Sequence, residues 1–254
     1  MSAAKLRGDT LRLNAATPFA AWTNEVTGSP KPLENLDVSS FPENNLIVVM
    51  STDKGLCGGV NTILSRMTRQ MVARLEAAGK KYQLFILGEK GRGALRRTHG
   101  SSFLGSATER VMPYTFDLSC CLAQDLLQGE YDAVHLLYNK FKSAIAYEPS
   151  IKSITPLVDP TSEFFYPFAV EPSLDPETLF SFFEYTLATQ IHHSLMENAT
   201  AEQSSRMTAM ENASKNAGEM IGKLTLQYNR ARQSRITTEL IEIISGASAL
   251  ETKK

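Results

Sequence analysis

Asp175-Pro-Glu177 opens a stretch that runs to Lys254 without another proline. Its centre, Met210-Glu-Asn-Ala-Ser-Lys-Asn-Ala-Gly-Glu-Met-Ile-Gly-Lys-Leu-Thr-Leu-Gln-Tyr-Asn-Arg-Ala231, decides the fold. The aspartate offers an N-cap and the proline suits the first helical turn. Only Gly218, Gly222 and Gly246 interrupt the run after Glu177. An unbroken helix here exceeds about 100 Å, whereas a globular domain of this size is only ~35 Å across, so it must find a partner. Met210, Ser214, Ala217, Ile221, Leu224, Tyr228 and Ala231 recur in steps of four and three, the spacing of a coiled-coil seam. Small residues dominate its first half and permit close helix approach. By periodicity alone, a long bundle helix fits equally well.

Towards the C-terminus, Arg230, Arg232 and Arg235 precede Glu239 and Glu242, with Arg235 and Glu239 one turn apart. Such charges usually make a solvated face. Beyond them Ile236, Leu240, Ile243, Ile244 and Ala247 form an apolar stripe that needs a sleeve or a second helix. At the other end of the chain, Ala3, Leu6, Thr10, Leu13 and Thr17 predict a helix to about residue 27, ended by Gly28-Ser-Pro-Lys-Pro32. Pro18 marks a possible kink. A polar, proline-containing linker leads on to Asn45.

Between the terminal helices, strand and helix patterns alternate. Leu46 to Met50, Tyr82 to Leu87, Ala133 to Phe141 and Ile145 to Pro156 read as strands. Asn61 to Ala78, Gly88 to Arg97 and Phe116 to Leu127 read as helices, and Phe164 to Phe168 as an aromatic segment leading out. The order argues for a mostly parallel α/β sheet of Rossmann type with one added antiparallel strand.

The chain has 254 residues, 43% hydrophobic and 21% charged, with a formal net charge of -1. It is globular in composition, and its charge favours neither nucleic acid nor an anionic membrane. No apolar run approaches a membrane span. Cys57, Cys120 and Cys121 form no disulfide framework. Ser51-Thr-Asp-Lys-Gly-Leu-Cys-Gly-Gly59 occupies the strand-to-helix position of a phosphate loop but has neither dinucleotide nor Walker spacing. A tight turn is the favoured reading. His135 reads as a satisfied core residue. His192-His193 diverge on a helix and make a poor metal pair. No acid/base set, metal or cofactor site emerges.

Ser205-Arg-Met-Thr-Ala-Met-Glu-Asn-Ala-Ser-Lys-Asn-Ala217, Tyr228-Asn-Arg-Ala-Arg-Gln233 and Ile236-Thr-Thr-Glu-Leu-Ile-Glu-Ile-Ile-Ser-Gly-Ala247 closely resemble the C-terminal signature of F-type ATP synthase gamma subunits. Asp53-Lys-Gly-Leu-Cys-Gly-Gly59 looks like the family's central motif, and Ala3-Ala-Lys-Leu6 like the middle of its first helix. The wording is most like mitochondrial forms, with alphaproteobacterial ones close behind. The resemblance implies a long antiparallel two-helix coiled coil built from the terminal helices, with a Rossmann-like domain beside it. The boundaries expected are 1–28, 44–170 and 174–250.

It also implies a non-catalytic rotor that couples proton-driven rotation of a membrane c-ring to ATP synthesis on beta subunits. Alpha and beta subunits, the c-ring and a small epsilon or delta subunit would be the partners, with no cofactor on this chain. Arg206, Arg232, Gln233, Thr237 and Glu239 would meet beta, and the stripe Ile236 to Ala247 would sit in an apolar bearing. The site would be the matrix face of the mitochondrial inner membrane, or the cytoplasmic face of a bacterial one. The chloroplast regulatory cysteine insert has no counterpart. About twenty further residues are expected ahead of Ala3-Ala-Lys-Leu6, packing antiparallel on the end of the last helix. Without them either the chain is processed or shortened, or the gene model is truncated, or another polypeptide completes the upper shaft. Two other classes stay open on sequence alone: a nucleotide-binding enzyme using Gly55 to Gly59, and a coiled-coil scaffold with no rotary role.

Overall fold

The run Leu46-Ile-Val-Val-Met50 is apolar on both sides of the strand, which suits a central strand covered on both faces. In the computed structural model, which describes residues 2–109, 112–156 and 175–251, it forms the middle of β1 (Asn44–Met50). Around it stand β2 (Lys81–Leu87), β3 (Phe103–Ala107), β4 (Ala133–Ser143) and β5 (Ala146–Ile154). The order is β3-β2-β1-β4-β5. β1 pairs in parallel with β2 and β4, and β5 runs antiparallel to β4, as the alternation predicted. β3 pairs in parallel with β2. The aromatic segment 164–168 lies outside the described residues.

The two faces carry separate cores. Ile47, Val49, Leu84 and Ile86 pack beneath α2 (Val60–Ala77) and α3 (Glu89–His99) through Leu64, Met71, Leu75 and Leu95. Leu46, Val48, Met50, Leu87, Val134 and Leu136 pack against α4 (Phe116–Leu127) and the first turns of α5 (Pro176–Glu251). α2 stops as expected at Gly79, whose φ of +68° is the left-handed value a helix end favours. The amide of Lys80 closes the turn onto Leu75 O at 3.0 Å.

Helix α1 (Ser2–Thr27) continues through Pro18 and ends at Gly28, φ +76°. It lies antiparallel on α5. Trp22 stacks on Tyr185 at 5.7 Å, Gln190 donates to Thr23 within the interface, and Leu13 and Ala16 meet Met196. Lys152 on β5 pins the helix end, donating to Asn24 Oδ1 at 2.8 Å and to Gly28 O. The meeting therefore falls on Phe182 to Gln203 of α5, before the seam predicted at Met210 to Ala231. Asp175 caps α5 as the sequence implied, its Oδ1 accepting the Thr178 amide at 2.9 Å.

Two features escaped the sequence reading. β3 adds a parallel edge strand. The linker before β1 contains short turns, Leu33–Asn35 and Val38–Ser40, whose Leu33 and Val38 are buried. The chain divides into two compact units, residues 1–208 and 209–254. α5 contributes to both.

Within the first unit, α5 buries polar as well as apolar residues, because the sheet and α1 both cover it. Glu197 is the sharpest case. Burial drives its carboxyl up to about 7, against the Tyr138 hydroxyl and the Lys140 charge that pull it down. The space beside it is lined by Leu13, Asn14, Thr17, Lys140 and His193, among others. The folded state thus prefers the protonated acid, so Glu197 contributes stability below pH 4.5 that is lost as pH rises to about 7. His193, held neutral by burial down to about 4, acts in the opposite sense below pH 6.5. Relative to Glu197→Gln, the wild-type chain should lose up to about 3 kcal/mol of unfolding free energy between pH 4.5 and 7.5. Urea titrations of both chains across that range check it; parallel curves would refute the assignment.

Candidate functional site

The second unit is a helix in water. From Met210 onward every described side chain is exposed, including Ile221, Leu224, Leu226, Tyr228, Leu240, Ile243 and Ile244. Two stripes can be traced on it. The first takes in Met210, Ser214, Ala217, Ile221, Leu224, Tyr228 and Ala231. The second takes in Ile236, Leu240, Ile243 and Ala247. Between Ala231 and Ile236 the step is five rather than four, so the apolar line moves around the helix by about 100°. Arg232, Gln233 and Arg235 occupy that break. The surface changes there from a narrow small-residue seam to a charged collar and then to a broad aliphatic end.

In the collar, Arg235 Nε donates to Glu239 Oε1 at 2.9 Å, the predicted one-turn pair. Both groups are well exposed, so the pair adds only a few tenths of a kcal/mol to the helix, roughly 0.3–0.5. Thr237 Oγ1 donates to Gln233 O at 2.9 Å. Arg232, Gln233, Thr237 and Glu239 thus stand on one exposed segment.

Arg206 is in a different setting. It lies in the first unit, half-buried, and pairs with Glu202 one turn earlier; the two side chains are 16% and 10% exposed. The Glu-x-x-x-Arg spacing was present in the sequence and would have revealed this pair.

The Ser51 to Gly59 loop belongs to the first unit. Asp53 Oδ1 accepts the Glu89 amide at 3.0 Å, at the start of α3. The Asn61 side chain accepts from Thr52 N at 3.0 Å and donates to Thr52 Oγ1 at 2.7 Å and Cys57 Sγ at 3.3 Å. Thr52 Oγ1 donates to Lys54 O at 2.7 Å. Cys57 is buried in this knot rather than presented as a nucleophile. Gly55 has the Lys90 side chain beside it, Gly58 is left-handed at φ +61°, and Gly59 opens onto Tyr147. Within the loop Thr52 bonds Lys54, while Asp53 and Cys57 are engaged by α3 and α2, so these groups serve a tight strand-to-helix turn.

His135 is the satisfied core residue its strand position implied. His135 is fully buried between Ser153 Oγ at 2.8 Å and Asn45 Oδ1 at 3.0 Å, and burial pushes it down to about 3. His192 meets Ser119 Oγ at 3.2 Å.

A family profile described as ATP synthase matches residues 1–250. The chain is 39% identical to the ATP synthase gamma chain of Zymomonas mobilis, over 98% of this chain and 91% of that one. It is 43% identical to the mitochondrial ATP synthase subunit gamma of Drosophila melanogaster, over 98% of this chain and 82% of that one. In structure it is similar to a chain of the central stalk and c-ring of Tetrahymena thermophila mitochondrial ATP synthase. That match has a TM-score of 0.67 and 28% identity, covering 84% of this chain and 96% of the other.

Proposed function

The chain belongs to the ATP synthase gamma family, and from that premise we propose how its exposed helix works. As a gamma chain it is the central-stalk rotor of F1Fo ATP synthase and is not itself catalytic. It couples c-ring rotation to the conformational cycling of the beta subunits, where ATP is made. It is a peripheral, membrane-associated subunit, and among the described residues no helix is long and apolar enough to cross a membrane.

The finer reading concerns residues. Arg232, Gln233, Thr237 and Glu239 meet the beta subunits, with Arg206 as a further contact steadied by Glu202. Ile236, Leu240, Ile243, Ile244 and Ala247 turn in an apolar bearing. The segments 1–28, 44–170 and 174–250 act as first shaft helix, foot and second shaft helix. The foot, through the α/β sheet, meets the c-ring and a small epsilon- or delta-type subunit. The compartment is the mitochondrial matrix face of the inner membrane, supported by 43% identity to a mitochondrial relative, the alternative being the cytoplasmic face of a bacterial inner membrane, supported by 39% identity to a bacterial one.

The observation that carries this reading is the exposed collar itself. A ring of like subunits around a helix that is charged on one side and apolar on another feels a different surface at each angle. Rotation then shifts each beta subunit between conformations by differential contact. Replacing Arg232 and Gln233 together by Ala removes two exposed polar contacts of roughly 0.5 kcal/mol each. Coupled ATP synthesis in the reconstituted complex should fall about three- to tenfold while the free chain melts unchanged. Wild-type synthesis rates would refute the contact.

A further inference from the structure

We propose that the Ser51 to Gly59 loop is a clasp on helix α5, and that Ser205 and Gly58 are positioning residues through which foot and shaft helix turn together. In an open α/β sheet the crevice at the carboxyl ends of the strands, where crossover directions diverge, is the usual ligand site. Here that point lies between β1 and β4, since β1 leads through α2 to β2 on one side and pairs with β4 on the other. The crevice is filled by the chain's own helix. Asn198 Oδ1 accepts from Asn139 N at 3.2 Å and Nδ2 at 3.0 Å, on β4. Ser204 Oγ donates to Ala144 O at 2.7 Å, in the β4–β5 turn. Ser205 Oγ donates to Cys57 O at 2.6 Å, in the loop after β1.

Gly58 completes the fit. A Cβ there would stand 2.7 Å from Ser205 Oγ, closer than real contacts allow, on a backbone at φ +61°. The glycine therefore lets the helix approach, not a phosphate. The loop is also braced from behind. Asn61 at the start of α2 holds Thr52 and Cys57, and Asp53 Oδ1 is hydrogen-bonded by the first amide of α3. Torque on α5 thus passes through short polar contacts into the ends of β1 and β4 and the starts of α2 and α3. All these residues belong to the first compact unit.

The torque half of this proposal rests on the rotor function; the docking half does not, and two readouts separate them. In the assembled complex, Ser205→Ala should speed amide exchange of residues 52–60 about three- to tenfold, the range expected for one lost hydrogen bond. Gly58→Ala should speed it further. Adding Ser205→Ala to that variant should return part of the loss, because the atom the new methyl meets is gone. The ratio of proton-driven ATP synthesis to ATP hydrolysis should fall at least twofold in Ser205→Ala and recover in Ser205→Thr. Unchanged exchange in Ser205→Ala would overturn the clasp. Faster exchange with a wild-type ratio would overturn its part in coupling.

Discussion

Gly88→Ala is expected to destabilise the chain by about 3–5 kcal/mol, a large share of the 5–15 kcal/mol typical of a folded domain. Gly88 joins β2 to α3 at φ +97°, which side chains rarely adopt. A Cβ there would lie 2.5 Å from Ser51 O and 2.8 Å from Ser51 Oγ. Neither neighbour can retreat cheaply. Ser51 N donates to Leu87 O at 2.8 Å, Gly88 N donates to Ala107 O at 2.8 Å, and Ser51 Oγ is hydrogen-bonded to Leu87 O and the Gly91 amide. Relief requires parting β1 from β2 or β2 from β3. Denaturant titration should show a lower midpoint with an unchanged slope. Gly93→Ala is the control: nothing lies within 4 Å of its Cβ position, so the same methyl should stabilise the α3 interior by roughly 0.5–1 kcal/mol. Equal behaviour of the two variants would refute the steric account.

Gly88 also shows why the middle of the fold was legible. The strands β1, β2 and β4 are long apolar runs between turn residues, and α2 and α4 have one buried face each. Those patterns arise from burial and so are written in the residue order. β3 is different. It is an edge strand, half-buried, with Gly105 beneath the Phe85 ring, so it carries neither an apolar run nor clear alternation. Leu33 and Val38 were hidden for a similar reason: each is an isolated apolar residue, buried by the α2 face of the sheet rather than by its own neighbours.

The long helix illustrates a second limit. Its first part is buried from both sides, and Gln190, His193, Glu197 and Asn198 are covered although a periodicity argument would place them in water. Their partners, such as Thr23 and Asn139, are distant in sequence and unmarked by any motif. Its second part reads easily as exposed helix, yet exposure alone names no partner. There the roles proposed for Arg232 and Gln233 rest on likeness to a family, whereas the Arg235–Glu239 pair follows from spacing. The glycine loop shows both: its tightness was legible, and its neighbour Ser205, 148 positions away in sequence, was not.

The aliphatic end of α5 gives the other large effect. Leu240 and Ile244 are one turn apart, on the same side of the helix, and 52% and 57% exposed. Replacing both by Asp should leave the free chain folded, because each site is already in water. The cost there is limited to roughly 0.5 kcal/mol of helix propensity per site and a similar dipole term near the helix end. In an apolar bearing the same change forces two carboxylates out of water, at several kcal/mol each. Assembly with alpha and beta subunits should therefore drop more than about a hundredfold, since every 1.4 kcal/mol is tenfold. Leu240→Met with Ile244→Val, which keeps the surface apolar, should assemble normally. On the proposed reading, in which the collar is read during rotation rather than buried in a sleeve, Arg232→Ala with Gln233→Ala should also assemble while losing coupling. Recovery of a stoichiometric complex from the Leu240→Asp, Ile244→Asp chain would place the bearing elsewhere on the helix. Loss of assembly together with an unchanged melt of the free chain is the result that only a buried apolar end produces.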